Sequence, residues 1–263
     1  FSEQQRIIIE MEHLFTLIDK VEENKYDLQA IIKQAKNKIL DLAIHGKLVQ
    51  QDLNEEPASE LLKRINPKAE ITCDNGQYGK RPFEIPNSWC WSRLGDINNI
   101  ARGGSPRPIK DYLTDDKNGI NWIKIGDTTR EGKYIDSVKE KIRPEGMKKS
   151  RFVHKGDFLL TNSMSFGRPY ILNVDGCIHD GWLVISPIGE VYTSDFLYHL
   201  LSSSFAFEQF TNVASGGVVT NLNSDKVADT IFPVPPLAEQ QRIVAKIEKL
   251  FEQLDYIENS LEA

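Results

Sequence analysis

Apolar residues recur at alternating steps of three and four positions near both ends of the chain, which is the spacing of an a/d stripe on a helix. The first stripe runs from Ile7 to Leu42, with one break at Lys25, and the second begins at Ile243. Such a stripe packs against another helix, so both ends are predicted to form coiled-coil helices. The stripe residues are Ile7, Met11, Leu14, Ile18, Val21, Leu28, Ile32, Ile39, Ile243, Ile247, Leu250, Leu254 and Ile257.

The first stripe predicts a helix from about residue 3 to residue 45 that stops near Gly46. A helix of this length spans on the order of 60 Å at its usual rise per residue. A single helix with such a stripe would not hold in water. The simplest arrangement is an antiparallel pair, formed by the two ends of this chain or with a second molecule. A plain helical hairpin without a scaffolding role is the alternative.

The two helical ends are also copies of each other. Residues 3–7, Glu-Gln-Gln-Arg-Ile, return as residues 239–243 at an offset of 236. Further identities at the same offset pair Glu12 with Glu248, Leu14 with Leu250, Phe15 with Phe251, Asp19 with Asp255 and Glu22 with Glu258. Self-similarity of this kind indicates a repeated structural unit, of which each end of the chain begins one copy.

Between the helices, short runs of Val, Ile, Phe, Tyr and Trp alternate with Gly, Pro, Asn and Asp, which is typical of strands. Examples are residues 119–125, 156–161 and 181–185, and one helix is expected from Ser194 to Phe210. The predicted fold class is α+β, with one β-rich domain flanked by long antiparallel coiled-coil helices. The expected segments are the first helix at 1–50, a short helix and connector at 51–81, the domain at 82–235 and the second helix at 236–263.

Charge is distributed unevenly along these 263 residues, whose formal net charge of −6 by itself argues against a nucleic-acid partner. Residues 101–170 hold 15 Lys and Arg against 9 Asp and Glu, a net of +6, and the segments on either side are neutral or acidic. One basic stretch in an acidic chain fits a phosphate footprint. A solvated charged surface would give the same count.

Several polar loops carry the residue types that contact DNA. In residues 102–107, two glycines and a hydroxyl lie between two arginines. Glycine N–H groups can donate to phosphate oxygens, and arginine can bind O6 and N7 of guanine. Each loop alone is more simply a turn, but together with the basic stretch they favour nucleic acid. The predicted DNA-binding residues are Arg102, Gly103, Gly104, Ser105, Arg107, Thr128, Arg130, Asn162, Ser163, Ser165, Arg168, Ser215 and Gly216.

Patterns that carry catalysis or bind cofactors are weak. No GxGxxG follows a strand, so no adenosyl or dinucleotide cofactor is expected, and no HxxxH or HExxH pattern supports a metal. The pair His179–Asp180 could act as acid and base, but a structural pair is the favoured interpretation. Cys73, Cys90 and Cys177 are widely spaced, which gives no support for a disulfide framework and suits a reducing cytoplasm. No apolar run is long enough to span a membrane.

Four motifs together resemble the specificity subunits of type I restriction-modification systems. Residues 232–243, FPVPPLAEQQRI, look like the segment that closes each target-recognition domain of that family. Residues 43–49, AIHGKLV, are similar to the end of its long spacer helix, and residues 82–95, PFEIPNSWCWSRLG, look like the opening of its recognition domain. Residues 103–106, GGSP, resemble its Gly-Gly-Thr-Pro turn.

The resemblance implies a non-catalytic subunit that binds double-stranded DNA and docks onto methyltransferase subunits, which hold the S-adenosylmethionine. A motor-nuclease subunit would join through the complex. The usual subunit of the family has two recognition domains, whereas this chain has one spacer, one domain and the start of the next spacer. It would read one half of a split site, either as a homodimer or as the C-terminal half of a longer subunit. A coiled-coil adaptor that does not bind DNA, or an enzyme, is the alternative.

Overall fold

The computed structural model describes residues 2–69, 82–129, 132–162, 167–214 and 221–260. The helices are α1 (Ser2–Ile44), α2 (Ala58–Ile65), α3 (Leu94–Ile97), α4 (Pro144–Met147), α5 (Ser194–Leu201), α6 (Ser204–Ala214), α7 (Ser224–Ala228) and α8 (Leu237–Ser260). The strands are β1 (Cys90–Arg93), β2 (Asn98–Arg102), β3 (Leu113–Thr114), β4 (Ile120–Ile123), β5 (Tyr134–Ile135), β6 (Glu140–Ile142), β7 (Arg151–Val153), β8 (Phe158–Thr161), β9 (Pro169–Leu172), β10 (Gly176–Ile178), β11 (Trp182–Pro187) and β12 (Ile231–Val234). Among the helices in these ranges, none combines the length and the hydropathy that crossing a bilayer requires.

Helix α1 confirms the long helix predicted from the apolar stripe. Its 43 residues extend over about 65 Å at the usual rise per residue. It ends just before Gly46, whose φ of +66° is a left-handed conformation that glycine adopts without strain. A Cβ at this position would lie 2.4 Å from the ring of Pro86, so the helix end also needs glycine for close packing.

Helices α1 and α8 pack against each other in opposite directions. Ile44, in the last turn of α1, shares a buried cluster with Ile243 in the first turns of α8. Farther from this cluster, Lys36 of α1 forms ion pairs with Asp255 at 2.5 Å and Glu258 at 3.1 Å. Earlier positions of α1 therefore meet later positions of α8, and this antiparallel contact within one chain is one of the two pairings that the sequence allowed.

The apolar stripe is buried only in the part of α1 that α8 covers. Its buried members are Ile32, Ile243 and Ile247. Its half-buried members are Leu28, Ile39, Leu250 and Leu254. Its exposed members are Met11, Leu14 and Ile257. The first half of α1 is exposed in the single chain because α1 continues past the region that α8 covers, and this leaves it available to a second molecule, the other pairing that the sequence allowed. The side chains of Ile7, Ile18 and Val21 lie outside the described residues.

The described part of the domain contains two five-stranded sheets and one two-stranded sheet. The first large sheet has the strand order β3-β6-β4-β10-β7, and the second has the order β2-β11-β8-β9-β5. Strands β1 and β12, which open and close the domain, pair antiparallel with each other. The apolar runs expected at 119–125 and 156–161 contain β4 and β8, and the run expected at 181–185 overlaps β11, which continues to Pro187. The chain is thus a mixed α and β protein, as predicted.

Two large apolar clusters hold the domain together. The larger one joins Ile44 of α1 and Ile243 of α8 to Phe196 of α5, so both long helices are anchored inside the domain core. The second includes Ile178 of β10 and Trp182 of β11, and it therefore joins the two five-stranded sheets. The chain crosses from one sheet to the other between these two residues, and this crossing positions the loops described below.

One local expectation was wrong. The single helix expected at 194–210 is two helices, α5 and α6, because Ser203 interrupts it: its Oγ donates to Leu200 O at 2.6 Å and accepts from the N–H of Ala206 at 3.1 Å. Such a hydroxyl is a typical helix N-cap. Cys177 is a buried free thiol, whereas Cys73 lies outside the described residues.

Candidate nucleic-acid interface

The crossing between β10 and β11, residues 178–181, holds sequence-distant segments together, and we refer to it as the Asp180 turn. The backbone carbonyl of Asp180 accepts hydrogen bonds from Arg102 Nε at 3.1 Å and Asn162 Nδ2 at 2.8 Å. Its carboxylate Oδ1 accepts a hydrogen bond from Ser105 Oγ at 2.7 Å. The structure therefore brings together the 102–107 loop and Asn162, which the sequence predicted separately as DNA-binding.

Gly103 and Gly104 attach the 102–107 loop to β10 and β11 through backbone hydrogen bonds. The N–H of Gly103 donates to Trp182 O at 2.9 Å, and the N–H of Gly104 donates to Ile178 O at 3.2 Å. The idea that these N–H groups donate to phosphate is wrong for this structure, because both are already used within the fold. A Cβ at Gly103 would lie 2.1 Å from His179 O, so glycine is needed for the close approach of two backbone segments.

His179 connects a further predicted segment, residues 125–128, to the Asp180 turn through hydrogen bonds. The N–H groups of Ile125 and Gly181 point at its two ring nitrogens, at 3.3 Å and 2.8 Å. Burial lowers the pKa of His179, which favours the neutral ring at pH 7. Thr128, one of the predicted DNA-binding residues, donates its hydroxyl to Ile125 O at 2.7 Å. This supports the structural interpretation of His179 and brings the segment at 125–128 beside the Asp180 turn.

A cleft of about 300 Å³ opens beside the Asp180 turn. At its rim, Nη2 of Arg107 lies 3.5 Å from Asp180 Oδ2, while the Arg107 side chain is 83% exposed. The hydrogen bond from Ser105 is the main reason that the pKa of Asp180 is lowered, so Asp180 is ionised at neutral pH. Lys124, also at the cleft, forms an ion pair with Glu140. The lining residues are Ser105, Pro106, Arg107, Ile109, Trp122, Lys124, His179 and Asp180.

Basic residues at the start of β7 and just before it border the same region, and the sequence indicated them only through the total charge of residues 101–170. Arg151 Nε donates to the carbonyl of Arg102 at 3.2 Å. Lys149 donates to the hydroxyl of Tyr112 at 2.6 Å, with its ammonium 5.0 Å from the ring centroid. These contacts place two more cations next to the 102–107 loop. Asp180 was missed as an organising residue because its partners are 18 to 78 positions away.

The remaining predicted residues are not brought to this cluster by any described contact. Arg168 forms backbone hydrogen bonds with Thr161. Its side chain is half-buried, and burial raises the pKa of Tyr198 of α5 while the positive charge of Arg168 partly lowers it. Arg130, Ser163, Ser165, Ser215 and Gly216 lie outside the described residues. In the part of the chain that is described, no group of His, Cys, Asp and Glu side chains has the arrangement of a metal site.

The structure combines a β-rich domain, two antiparallel helices that are anchored in its core, and a cluster of arginine-bearing loops. The comparison with family models identifies the class: residues 86–263 match the type I restriction modification DNA specificity domain. The chain belongs to this family.

Individual relatives agree with this assignment. The chain is 26% identical to the EcoEI specificity subunit of Escherichia coli, over 90% of this chain and 43% of that subunit. It is 29% identical to the MjaIX specificity subunit of Methanocaldococcus jannaschii, over 67% of this chain and 40% of that subunit. The chain spans about half the length of the curated relatives it matches.

Solved structures show the same fold. The HsdS subunit from Thermoanaerobacter tengcongensis superposes with a TM-score of 0.59 at 18% identity, covering 99% of this chain and 53% of that chain. A chain from a structure on complex assembly and conformational transition of the type I R-M system gives a TM-score of 0.57 at 18% identity, covering 94% and 53%. At this identity the likeness speaks for the fold alone.

Proposed function

We propose that the chain is a sequence-specific DNA-binding subunit of a type I restriction-modification system and that its one recognition domain reads one half of a split site. The observation that carries this proposal is the convergence of the 102–107 loop and Asn162 on the Asp180 turn. This arrangement leaves Arg102 and Arg107 exposed beside Lys149 and Arg151. Arginine and lysine are the donors that phosphates and base edges require. Family membership supports the same assignment and does not favour the adaptor.

The two long helices would act as the spacer that sets the distance between two readers. Helices α1 and α8 would form an antiparallel coiled coil, and the exposed stripe on the first half of α1 would pack against a further helix. Two occupants fit: a second copy of this chain, which would read a palindromic split site, or the other half of a longer subunit. Met11 and Leu14, 49% and 50% exposed, are the residues that such a helix would cover.

The partners of the assembly would be methyltransferase subunits, which would bind the S-adenosylmethionine, and a motor-nuclease subunit. No catalytic step is assigned to this chain, and no cofactor is assigned to it. Since the target would be host and invading DNA, the assembly would work in the cytoplasm.

Methylome sequencing of a host that expresses the chain with its methyltransferase tests this proposal. The expected result is a two-part methylated motif that disappears when the chain is deleted. A salt titration of binding to duplex DNA gives an independent measure, because releasing counterions makes log K fall linearly with log[salt]. An adaptor that does not touch DNA would give no motif and no salt dependence, and either result would reject the proposal.

A further inference from the structure

We propose that Asp180 is a specificity-determining positioning residue, which holds the guanidinium of Arg107 so that Arg107 donates to O6 and N7 of one guanine. This inference rests on the proposed function and assigns one base contact within it. The ligand is the major-groove edge of a guanine, whose two acceptors match two donors of one guanidinium.

The geometry gives one nitrogen of the Arg107 guanidinium a partner and leaves the rest of the guanidinium accessible. Its Nη2 lies 3.5 Å from Asp180 Oδ2, and the side chain remains 83% exposed. Among the described residues, Asp180 is the one that forms an ion pair with this guanidinium. The other N–H groups are therefore available to a ligand that approaches from solvent.

Asp180 itself cannot follow Arg107, because the surrounding loops fix its position. Ser105 donates to the carboxylate at 2.7 Å, while Arg102 and Asn162 donate to the backbone carbonyl at 3.1 Å and 2.8 Å. The close backbone approach at Gly103 adds a steric constraint. A donor that is oriented before binding loses less conformational freedom when the complex forms, and it discriminates geometry better.

The charge of Asp180 favours a base edge over a phosphate. The carboxylate already balances the positive charge of Arg107, and it would repel a phosphate placed on the same guanidinium. The edge of guanine presents two neutral acceptors and carries no such penalty. An arginine that contacts a phosphate binds it better without a carboxylate paired to its guanidinium, and the exposed side chain of Arg143, in the same basic stretch, has no such ion pair among the described residues.

The test is selection of binding sites from a randomised duplex by the full chain in complex with its methyltransferase. The variants are Arg107→Ala, Arg107→Lys and Asp180→Asn, and Arg143→Ala is the matched control. The wild type is expected to select a G·C pair at one position of its half-site. Arg107→Ala and Arg107→Lys should each lower that preference by about tenfold or more and leave the other positions unchanged, because lysine keeps the charge but cannot bind both acceptors at once.

Asp180→Asn should relax the base preference at the same single position. A merely structural role of Asp180 would not change the preference at that one position alone. Thermal unfolding of each variant identifies any loss of folding. If Asp180→Asn does not fold, the exposed Arg107→Lys variant still decides whether the guanine contact exists. Arg143→Ala should weaken binding equally for all sequences.

Three outcomes would overturn the proposal. An unchanged base preference in both Arg107 variants would remove Arg107 from the base contacts. If Arg107→Ala weakens binding equally for all sequences and Arg107→Lys restores the binding, Arg107 contacts a phosphate. A loss of preference at every position in Asp180→Asn would make Asp180 a general scaffold residue. If the wild type itself selects no sequence, the proposed function fails, and this outcome is distinct from the other three.

Discussion

The indole Nε1 of Trp89 donates a hydrogen bond of 2.9 Å to Oε2 of Glu239, although the two residues lie 150 positions apart. The other carboxylate oxygen of Glu239 accepts from Gln51 Nε2 at 2.5 Å, and the side chain is 1% exposed. Three segments therefore meet at one buried acid: the connector after α1, the opening of the domain and the start of α8. Glu239 belongs to the unit that the sequence repeats at residues 3–7, so the repeat marks the attachment of a helix to a domain.

Replacing Glu239 with alanine is expected to lower the free energy of unfolding by about 1–3 kcal/mol, because the N–H of the buried Trp89 would be left without its acceptor. Chemical denaturation of the full chain measures the loss. Glu248→Ala is the control, since Glu248 is exposed on the same helix and should change stability by less than about 0.5 kcal/mol. Equal effects of the two substitutions would show that the buried contact does not attach α8.

The stability of the chain should also depend on the titration of Glu239. Burial raises the pKa of Glu239 above its ordinary value of 4.5, and the hydrogen bonds from Trp89 and Gln51 offset only part of this shift. The folded state therefore binds the proton more tightly than the unfolded state. Its stabilising contribution is present below pH 4.5 and is lost as pH rises through the raised pKa.

Glu239→Gln removes this titration while keeping an acceptor for Trp89. The free energy of unfolding of this variant, relative to wild type, should increase as pH rises from about 4.5 and then level off. Denaturant unfolding of both proteins across the acidic and neutral range measures the difference. A difference that is constant with pH would contradict the assignment of the raised pKa to this residue.

The two halves of the apolar stripe should respond differently to truncation. Ile247 is fully buried, so Ile247→Ala should cost about 2–5 kcal/mol of unfolding free energy. Leu14 is 50% exposed, and Leu14→Ala should cost less than about 1 kcal/mol when the chain is monomeric. If a second copy covers the first half of α1, Leu14→Ala should instead weaken self-association in sedimentation experiments. An unchanged association constant would exclude Leu14 from that interface.

The helices could be predicted from the sequence because their signals are local. Alternation by three and four residues and a stop at Gly46 define α1 to within one or two residues at each end. The break between α5 and α6 could not be predicted from apolar periodicity, because it depends on whether the hydroxyl of Ser203 caps a new helix. The exposure of Met11 and Leu14 was also not predictable, since the stripe shows that a partner is needed and not how far it extends.

The loops of the candidate site were predicted by residue type, but their roles were not. Gly103 was interpreted as a phosphate contact, whereas its N–H donates to Trp182 and its lack of a side chain makes room for His179. Asp180 was considered only as half of an acid-base pair. Both errors have one cause: Ser105 lies 75 positions from Asp180, Trp182 is similarly distant from Gly103, and spacing within a loop carries no information about such partners. The assignment of Arg107 to a DNA contact remains a prediction.

Gly103 offers a test of whether the Asp180 turn must keep its position for DNA recognition. In Gly103→Ala, the new Cβ would lie 2.1 Å from the carbonyl oxygen of His179, so the two backbones must separate. The expected result is a loss of about 1–3 kcal/mol in unfolding free energy, since overpacking forces backbone shifts. Weaker sequence-specific DNA binding should accompany it, because the anchor of Arg107 moves with the turn.

Gly126 provides the matched control, because a Cβ there would have no heavy atom within 4 Å. Gly126→Ala should therefore leave both stability and DNA binding close to wild type, although it lies in the turn at residues 125–127, next to the Ile125 N–H that points at His179. Calorimetry and equilibrium binding to the selected site measure both variants. If Gly103→Ala is destabilised but binds DNA as tightly and as selectively as wild type, the Asp180 turn supports the fold and does not position the DNA contacts.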